Sequence, residues 1–553
     1  MANRPVTAVA SPRYPSARGR PGAASPPGVR APSASSPRSP YRPQQQGTTV
    51  SELSRRGFLG IGAVAAVGLS GLLAACSAKP DAPAGSSAAT TLRAAFAGGG
   101  SAETLNYFVG PTALDFVRAR LVHAPLGAID PAQPDGVSLG ALESIEVDDD
   151  LTSYTLRLRD DISFSDGSPV TSDDLLYSLR APDALQGLPF TRLVGRGFDL
   201  AAAETTDART LRLPTVTPIA DGRLLLCQSM LVIKDGTTEF TPATPSCGPY
   251  LIEGFEPGRQ TVLRRNPDWF GEENGPDEIH LLSVNDAEAR VNALRSDGAD
   301  FVSGVSPYSA QLLAEENGFT VSAGEAPYLS NLRFEMNLEH EPFRDERVRR
   351  AFRLAVDRQA IVDTVYFGRA AIGNDVPAIG FPSYDSSLEQ RSHDPDEARR
   401  LLRAAGHDGM SVELTAGPEL PGMVETATLV VENLREIGVR ATLVELPAGQ
   451  LYADYEAYQQ LPFAAGYNPP APFEANHTPG ALPEVDTLVA TARSAPDAAQ
   501  RTDASHRAQR LLWEQGNQII PVFVPTVDAH TDRLSGVRHL QFPDLSAARL
   551  ASA

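Results

Sequence analysis

Residues 412–444 read VELTAGPELPGMVETATLVVENLREIGVRATLV. The run at 412–414 extends as a strand, 423–437 is an amphipathic helix closed by Gly438, and 439–444 is a second strand. Together they form a strand-helix-strand unit. Outward from it the same alternation continues. Asp394-Pro395-Asp396-Glu397 is a helix cap with proline at the first helical position, and Gly406 ends that helix. Asp345 caps another, whose inward face is Val348, Phe352, Ala355 and Val356, with Arg349, Arg350 and Arg353 expected mostly in solvent.

Further upstream, 154–159 alternates with period two as a half-buried strand, and a turn at 164–170 follows. Thr171 or Ser172 then caps a helix that points Leu175, Leu176 and Leu179 inward, with Asp173 and Asp174 favourable in its first turn. Residues 92–96 form a buried strand running into Gly98-Gly99-Gly100. No Gly-Lys-Ser/Thr follows, so this is a strand-to-loop turn rather than a phosphate cradle. A short strand at 210–213 precedes an apolar stretch ending at Val232. Cys247-Gly248-Pro249-Tyr250 then leads into strands at 251–255 and 261–265, joined at Glu256-Pro257-Gly258. Strands alternating with helices throughout give an α/β architecture.

The N-terminal region has a different character. Residues 1–50 hold seven arginines and no acidic residue among Pro, Ser, Ala and Gly, a composition that cannot bury a core and is expected to be disordered. Ser54-Arg55-Arg56-Gly57-Phe58-Leu59 then precedes about sixteen uncharged residues ending in Leu73-Ala74-Ala75-Cys76, fewer than the roughly 20 that cross a bilayer. Paired arginines before a short apolar run are the twin-arginine export pattern, and a small-residue site ending in cysteine is a lipobox. Gly60 stands where a lysine often follows, which leaves the twin-arginine and general export routes both open. Export with lipid on Cys76 is expected either way, and a tether from 76 to 90 joins the lipid to the fold.

The whole chain carries a net charge of −20. Removing the first 75 residues leaves 39 basic against 67 acidic residues, a net charge of −28. So acidic a surface excludes nucleic acid and a peripheral grip on anionic lipid. Durable membrane attachment would then require more than one acyl chain on Cys76. The remaining cysteines, Cys227 and Cys247, are either a disulfide or two buried free thiols, and their spacing does not choose between them. No Gly-x-Ser-x-Gly or His-Glu-x-x-His is present, since Pro342 follows His340-Glu341. An enzyme is therefore disfavoured, and no cofactor or metal is expected.

Four stretches in order resemble the family 5 solute-binding proteins of ABC importers, which include dipeptide, oligopeptide and nickel binders. They are 153–179; Cys247-Gly248-Pro249-Tyr250 with Arg265-Asn266-Pro267-Asp268-Trp269-Phe270-Gly271; Asp286-Ala287-Glu288-Ala289-Arg290 with Gly298-Ala299-Asp300; and Pro342-Phe343-Arg344-Asp345-Glu346-Arg347-Val348-Arg349. The resemblance implies a type II periplasmic-binding-protein clamp of two lobes with a domain inserted in the first. By that analogy lobe I combines 91–135, 243–325 and 515–553, the inserted domain is 136–242, and lobe II is 326–514. A monomer would capture a peptide or related small organic solute between the lobes and present it to membrane permease subunits, with a nickel chelate as the alternative ligand.

The same analogy brings Glu103 and Asn106, Tyr328 and Asn331, and the stretch Gly466-Tyr467-Asn468-Pro469-Pro470-Ala471-Pro472-Phe473-Glu474 to the cleft. In peptide-binding relatives an aspartate shortly after a Gly-Trp pair meets the ligand ammonium, and that aspartate is missing here. Tyr467 would keep the aromatic role, and Asn468 or Glu474 would replace the lost acceptor.

Overall fold

A computed structural model describes residues 90–551 except 111, 131, 134, 135, 272–274, 478 and 481. The signal, Cys76 and most of the tether lie outside the described residues. Strand Thr91–Phe96 is buried because Leu92, Ala94, Ala95 and Phe96 have core on both faces, as a parallel strand requires. It pairs parallel with Glu278–Ser283 and with Phe301–Ser303. The full seven-stranded order is Phe319–Ala323, Val527–Thr531, Phe301–Ser303, Thr91–Phe96, Glu278–Ser283, Gln260–Arg265 and Tyr250–Glu256. This first lobe is thus assembled from three separate lengths of chain.

The second lobe is a six-stranded sheet ordered Ala371–Ile372, Gln518–Val524, Ser330–Met336, Phe463–Asn468, Ser411–Ala416 and Arg440–Glu445. Its last two strands run parallel and flank helix Met423–Glu436, which buries Met423, Ala427, Val430, Val431 and Leu434. A four-stranded antiparallel sheet, Leu142–Val147, Ser153–Leu158, Thr210–Pro214 and Glu204–Asp207, belongs to the stretch between the first and second strands of lobe I. Helix Ser172–Ala184 packs on it, begun by a capping box between Thr171 and Asp174.

Two expectations from sequence change here. The family analogy returns the chain to the first lobe at 515, but Gln518–Val524 pairs with Ser330–Met336, so the return crossing falls at 525–526. Arg349 and Arg353, expected in solvent, are 6% and 0% exposed. Their guanidinium groups close the C-terminus of helix Ala498–Gln515. Arg353 donates to the carbonyls of Leu512, Trp513 and Glu514 at 3.0, 2.8 and 2.6 Å, and Arg349 donates to that of Gln515 at 2.7 Å. Orphan carbonyls carry the negative end of the helix dipole, so a cation is stable there even when buried.

The cysteines are also settled as free thiols. Cys227 and Cys247 sit in one apolar core, both buried, with Cys247 Sγ 3.7 Å from the Val232 carbonyl oxygen. Burial pushes each thiol up to about 12, which leaves them unreactive near neutral pH.

Candidate ligand cleft

Among the described residues two short segments, 324–329 and 525–526, join the two large sheets. Gly324 N–H donates to the Thr526 carbonyl at 3.0 Å, so the crossings are bound to each other. Gly380 from the second lobe lies against the first crossing. A β-carbon there would come 2.6 Å from Ala326 Cβ, and its φ of +82° also favours glycine. Behind this loop, buried Asp375 accepts from Arg358 at 2.7 and 2.8 Å, from Arg391 at 2.6 Å and from the Ile520 N–H at 3.0 Å. Burial opposes its charge, but the surrounding guanidinium groups outweigh that and hold its carboxyl below the usual range. The network locks the loop onto strand Gln518–Val524.

The first crossing delivers Tyr328 and then Asn331 to the start of a central strand of the second sheet. The Tyr328 hydroxyl donates to the Ile129 carbonyl of the first lobe. Asn331 stands in register with Asn468 on one side and Phe523 on the other. Its side chain is buried, and Oδ1 has no hydrogen-bond partner among the described residues. A buried carbonyl left without a donor is costly unless something supplies one.

Two residues further along the same strand face, Arg333 pairs opposite Gly466 and donates to Asn468 Oδ1. Glu335 lies 3.4 Å from its Nε. Tyr467 occupies the other face, in register with Leu332, and its N–H donates to the Tyr452 hydroxyl at 3.3 Å. Burial raises the Tyr467 phenol, so the hydroxyl stays protonated.

The structure therefore sets Asn331 and Asn468 side by side with Tyr467 next in the chain and Tyr328 at the crossing. The other expected residues have internal duties. Glu103 accepts from the Gly258 N–H at 2.6 Å and lies 3.7 Å from Arg118 Nη1, bracing the turn between Tyr250–Glu256 and Gln260–Arg265. Asn106 Oδ1 accepts from the Phe108 N–H at 3.1 Å, a local turn. Glu474 is held by the hydroxyls of Ser383 at 3.0 Å and Ser505 at 2.8 Å. The prolines before it shape the loop into a short helix, Phe473–Asn476.

Sequence reading missed Arg333, although the alternation of Ser330–Met336 puts it on the face of Asn331. It also missed the residues by which the lobes touch. Gln228 Nε2 donates to the Pro470 carbonyl at 2.7 Å, Ala220 N–H to the Arg493 carbonyl at 2.8 Å, and Arg369 to Gln311 Oε1 at 2.8 Å. Ile129 and Leu224 pack into the cluster of Phe473, Val485 and Leu488. These contacts bridge the two lobes.

Residues 136–480 match the model of the bacterial extracellular solute-binding proteins, family 5. The chain belongs to this family. As a family 5 protein it is a solute-binding component of an ABC importer. It is 26% identical over 431 residues to the glutathione-binding protein GsiB of Salmonella typhimurium, covering 71% of this chain and 82% of the relative.

Its fold matches solved clamps throughout. CtaP of Listeria monocytogenes superposes with a TM-score of 0.73 at 18% identity, over 84% of this chain and all of that one. NikA of Brucella suis, solved with Fe(III)-EDTA, gives 0.70 at 18% identity over 83% and 99%. DppA of Helicobacter pylori, solved with the peptide STSA, gives 0.69 at 15% identity over 84% and 98%. Among the described residues no helix is long and apolar enough to cross a membrane, and no group of three His, Cys, Asp or Glu is arranged to hold a metal ion.

Proposed function

We propose that this family 5 protein is a monomeric, lipid-anchored receptor for short peptides or closely related organic solutes, delivering them to permease subunits and catalysing nothing itself. The observation that carries the ligand class is the buried, donorless Oδ1 of Asn331 beside Asn468 at the crossing. A peptide brings what that position lacks, a chain of N–H donors, while Arg333 suits a carboxylate. Tyr328 supplies a flat wall, and Tyr467, on the opposite strand face, supports Asn468 from the core side. Glu103, Asn106 and Glu474 act as braces for the loops around the ligand.

A ligand that binds between the lobes favours the closed form by its difference in affinity for the two forms. The GsiB and DppA relatives, named for glutathione and solved with a peptide, agree in ligand class with this reading.

Native mass spectrometry of a soluble form beginning at Pro80, purified without refolding, tests it. Adducts of peptide mass, or of one peptide-like solute, that leave on denaturation support the reading. A metal-chelate adduct would replace it with the alternative suggested by the NikA neighbour. Membrane attachment has its own test. Cys76→Ser should move the protein from the membrane fraction to the soluble one and abolish lipid labelling, and continued labelling would overturn the anchor.

A further inference from the structure

A cavity of about 530 Å³ opens in the first lobe beside the crossing. No strand or helix of the second lobe lines it; it shares Tyr328 with the crossing and Ile129 with the contact between the lobes. Helix Ala113–Val122, the hairpin of Gly127–Ile129 and Val137–Leu139, the loop 269–271 and the C-terminal segment 538–547 form its walls. Its size is that of pockets that take small organic molecules, commonly about 300–1,000 Å³.

Most of its charged groups are already matched. Arg159 holds Asp161 through two bonds of 2.8 and 2.7 Å, and Arg538 is paired with Asp544. Asp130 accepts only from neutral groups, the Ala132 N–H at 3.1 Å and the Gln133 amide at 3.3 Å. Arg120 is the cation left without an acid. Its Nη2 donates to the Gly127 carbonyl at 3.2 Å, and among the described residues no carboxylate pairs with it. Asp544, the acid that acts on it most strongly, is committed to Arg538. A guanidinium has five N–H donors and stays charged, so a half-buried one without a counter-charge offers free donors and a charge to an anion. Burial also works against its charged form.

The apolar lining combines aliphatic side chains, among them Val117, Leu121 and Leu139, with aromatic rings, and the Arg159 guanidinium lies 4.8 Å from the centroid of one of these, Phe270. Trp269 and Phe270 have ring centroids 4.0 Å apart, and Phe542 stacks on Phe116 at 5.0 Å. We propose that this cavity is a second ligand site, distinct from the clamp, for a small planar organic carboxylate whose acid group rests on Arg120 and whose flat body lies against Trp269 and Phe270. Arg120 supplies the bidentate fork that carboxylates prefer, and the rings supply face contacts. The proposal does not depend on which solute fills the clamp.

The chain's two tryptophans make the test direct. Trp269 lines the cavity, whereas Trp513 lies in the second lobe with the Arg391 guanidinium 4.3 Å from its ring centroid. With Trp513→Phe as background, indole emission is titrated with 4-nitrobenzoate, a quencher, and with 4-nitrobenzamide, the same ring without the charge. Quenching by the acid should saturate, and the amide should bind at least about tenfold more weakly, the factor that one charge-assisted contact provides.

Arg120→Met should weaken the acid by a similar factor and leave the amide unchanged, while Arg120→Lys restores part of the difference. Acid and amide binding alike, quenching that never saturates, or an acid affinity indifferent to Arg120→Met would overturn the proposal. The acid-amide comparison uses native Arg120 and so stands even if a variant folds poorly.

Discussion

Replacing His123 with leucine should remove a defined share of the protein's sensitivity to mild acid. His123 is 4% exposed and packs against Tyr107 and Phe240, and its Nδ1 has no hydrogen-bond partner among the described residues. Burial pushes its imidazole down from 6.5 to about 4. The folded protein therefore keeps this ring neutral while the unfolded chain protonates it. Above pH 6.5 neither state binds the proton, and the group is indifferent to pH. Between 6.5 and 4 only the unfolded state gains it, so stability falls as the pH drops, and below 4 the loss is complete.

Every pH unit crossed in that window costs about 1.4 kcal/mol, giving a loss of about 2 kcal/mol at pH 5 and about 3 kcal/mol in full. Asp375, held below the ordinary carboxylate range, acts in the same direction but only at more acid pH, so pH 5 isolates the histidine. Urea unfolding at pH 7.5 and pH 5, followed by far-ultraviolet circular dichroism, should show the wild type losing about 2 kcal/mol more than His123→Leu. Equal losses in the two proteins would refute the reasoning. An imidazole resonance of His123 titrating near pH 6.5 in the folded protein would refute it as well.

Three further outcomes rest on individual contacts. Gln228→Ala removes a neutral hydrogen bond between the inserted domain and the second lobe, worth about 1 kcal/mol. Small-angle scattering should show a larger open fraction in the ligand-free protein, and an unchanged radius of gyration would argue against the bond as a latch. Tyr467→Ala should weaken binding of the co-purified ligand about tenfold while leaving folding intact. Unchanged affinity in calorimetry would remove the residue from the cleft. Arg353→Met leaves the Glu514 carbonyl without its donor, while Gly516 N–H still serves Leu512 and Arg391 still serves Trp513, and should cost about 2 kcal/mol in urea unfolding; a loss below about 0.5 kcal/mol would contradict the capping role.

What the sequence made legible was local. The strand-helix-strand unit at 411–445 lies where its periodicity put it, and the caps at Thr171, Asp345 and Asp394 begin helices as expected, because each needs only a few consecutive residues. The departures all involve distant partners. Arg353 looked solvated because the carbonyls it caps come from helix Ala498–Gln515, far along the chain. Glu103 resembled a ligand carboxylate, but the N–H it accepts belongs to Gly258, and the serines that hold Glu474 come from other segments of the second lobe. Strand Gln518–Val524 is almost uniformly apolar, so its pattern fits the interior of either sheet, and only its pairing assigns it.

Strand Val527–Thr531 sits between Phe301–Ser303 and Phe319–Ala323 in the first lobe's sheet, although most of that sheet comes from far earlier in the chain. The second lobe's strands, by contrast, all fall within 330–524. During synthesis the lobe made later can therefore be completed sooner, and the earlier one must hold an unpaired strand edge until its last piece arrives. A chain truncated shortly before residue 527 should consequently keep a folded second lobe beside an unfinished, aggregation-prone first one. The order of assembly runs against the order of translation.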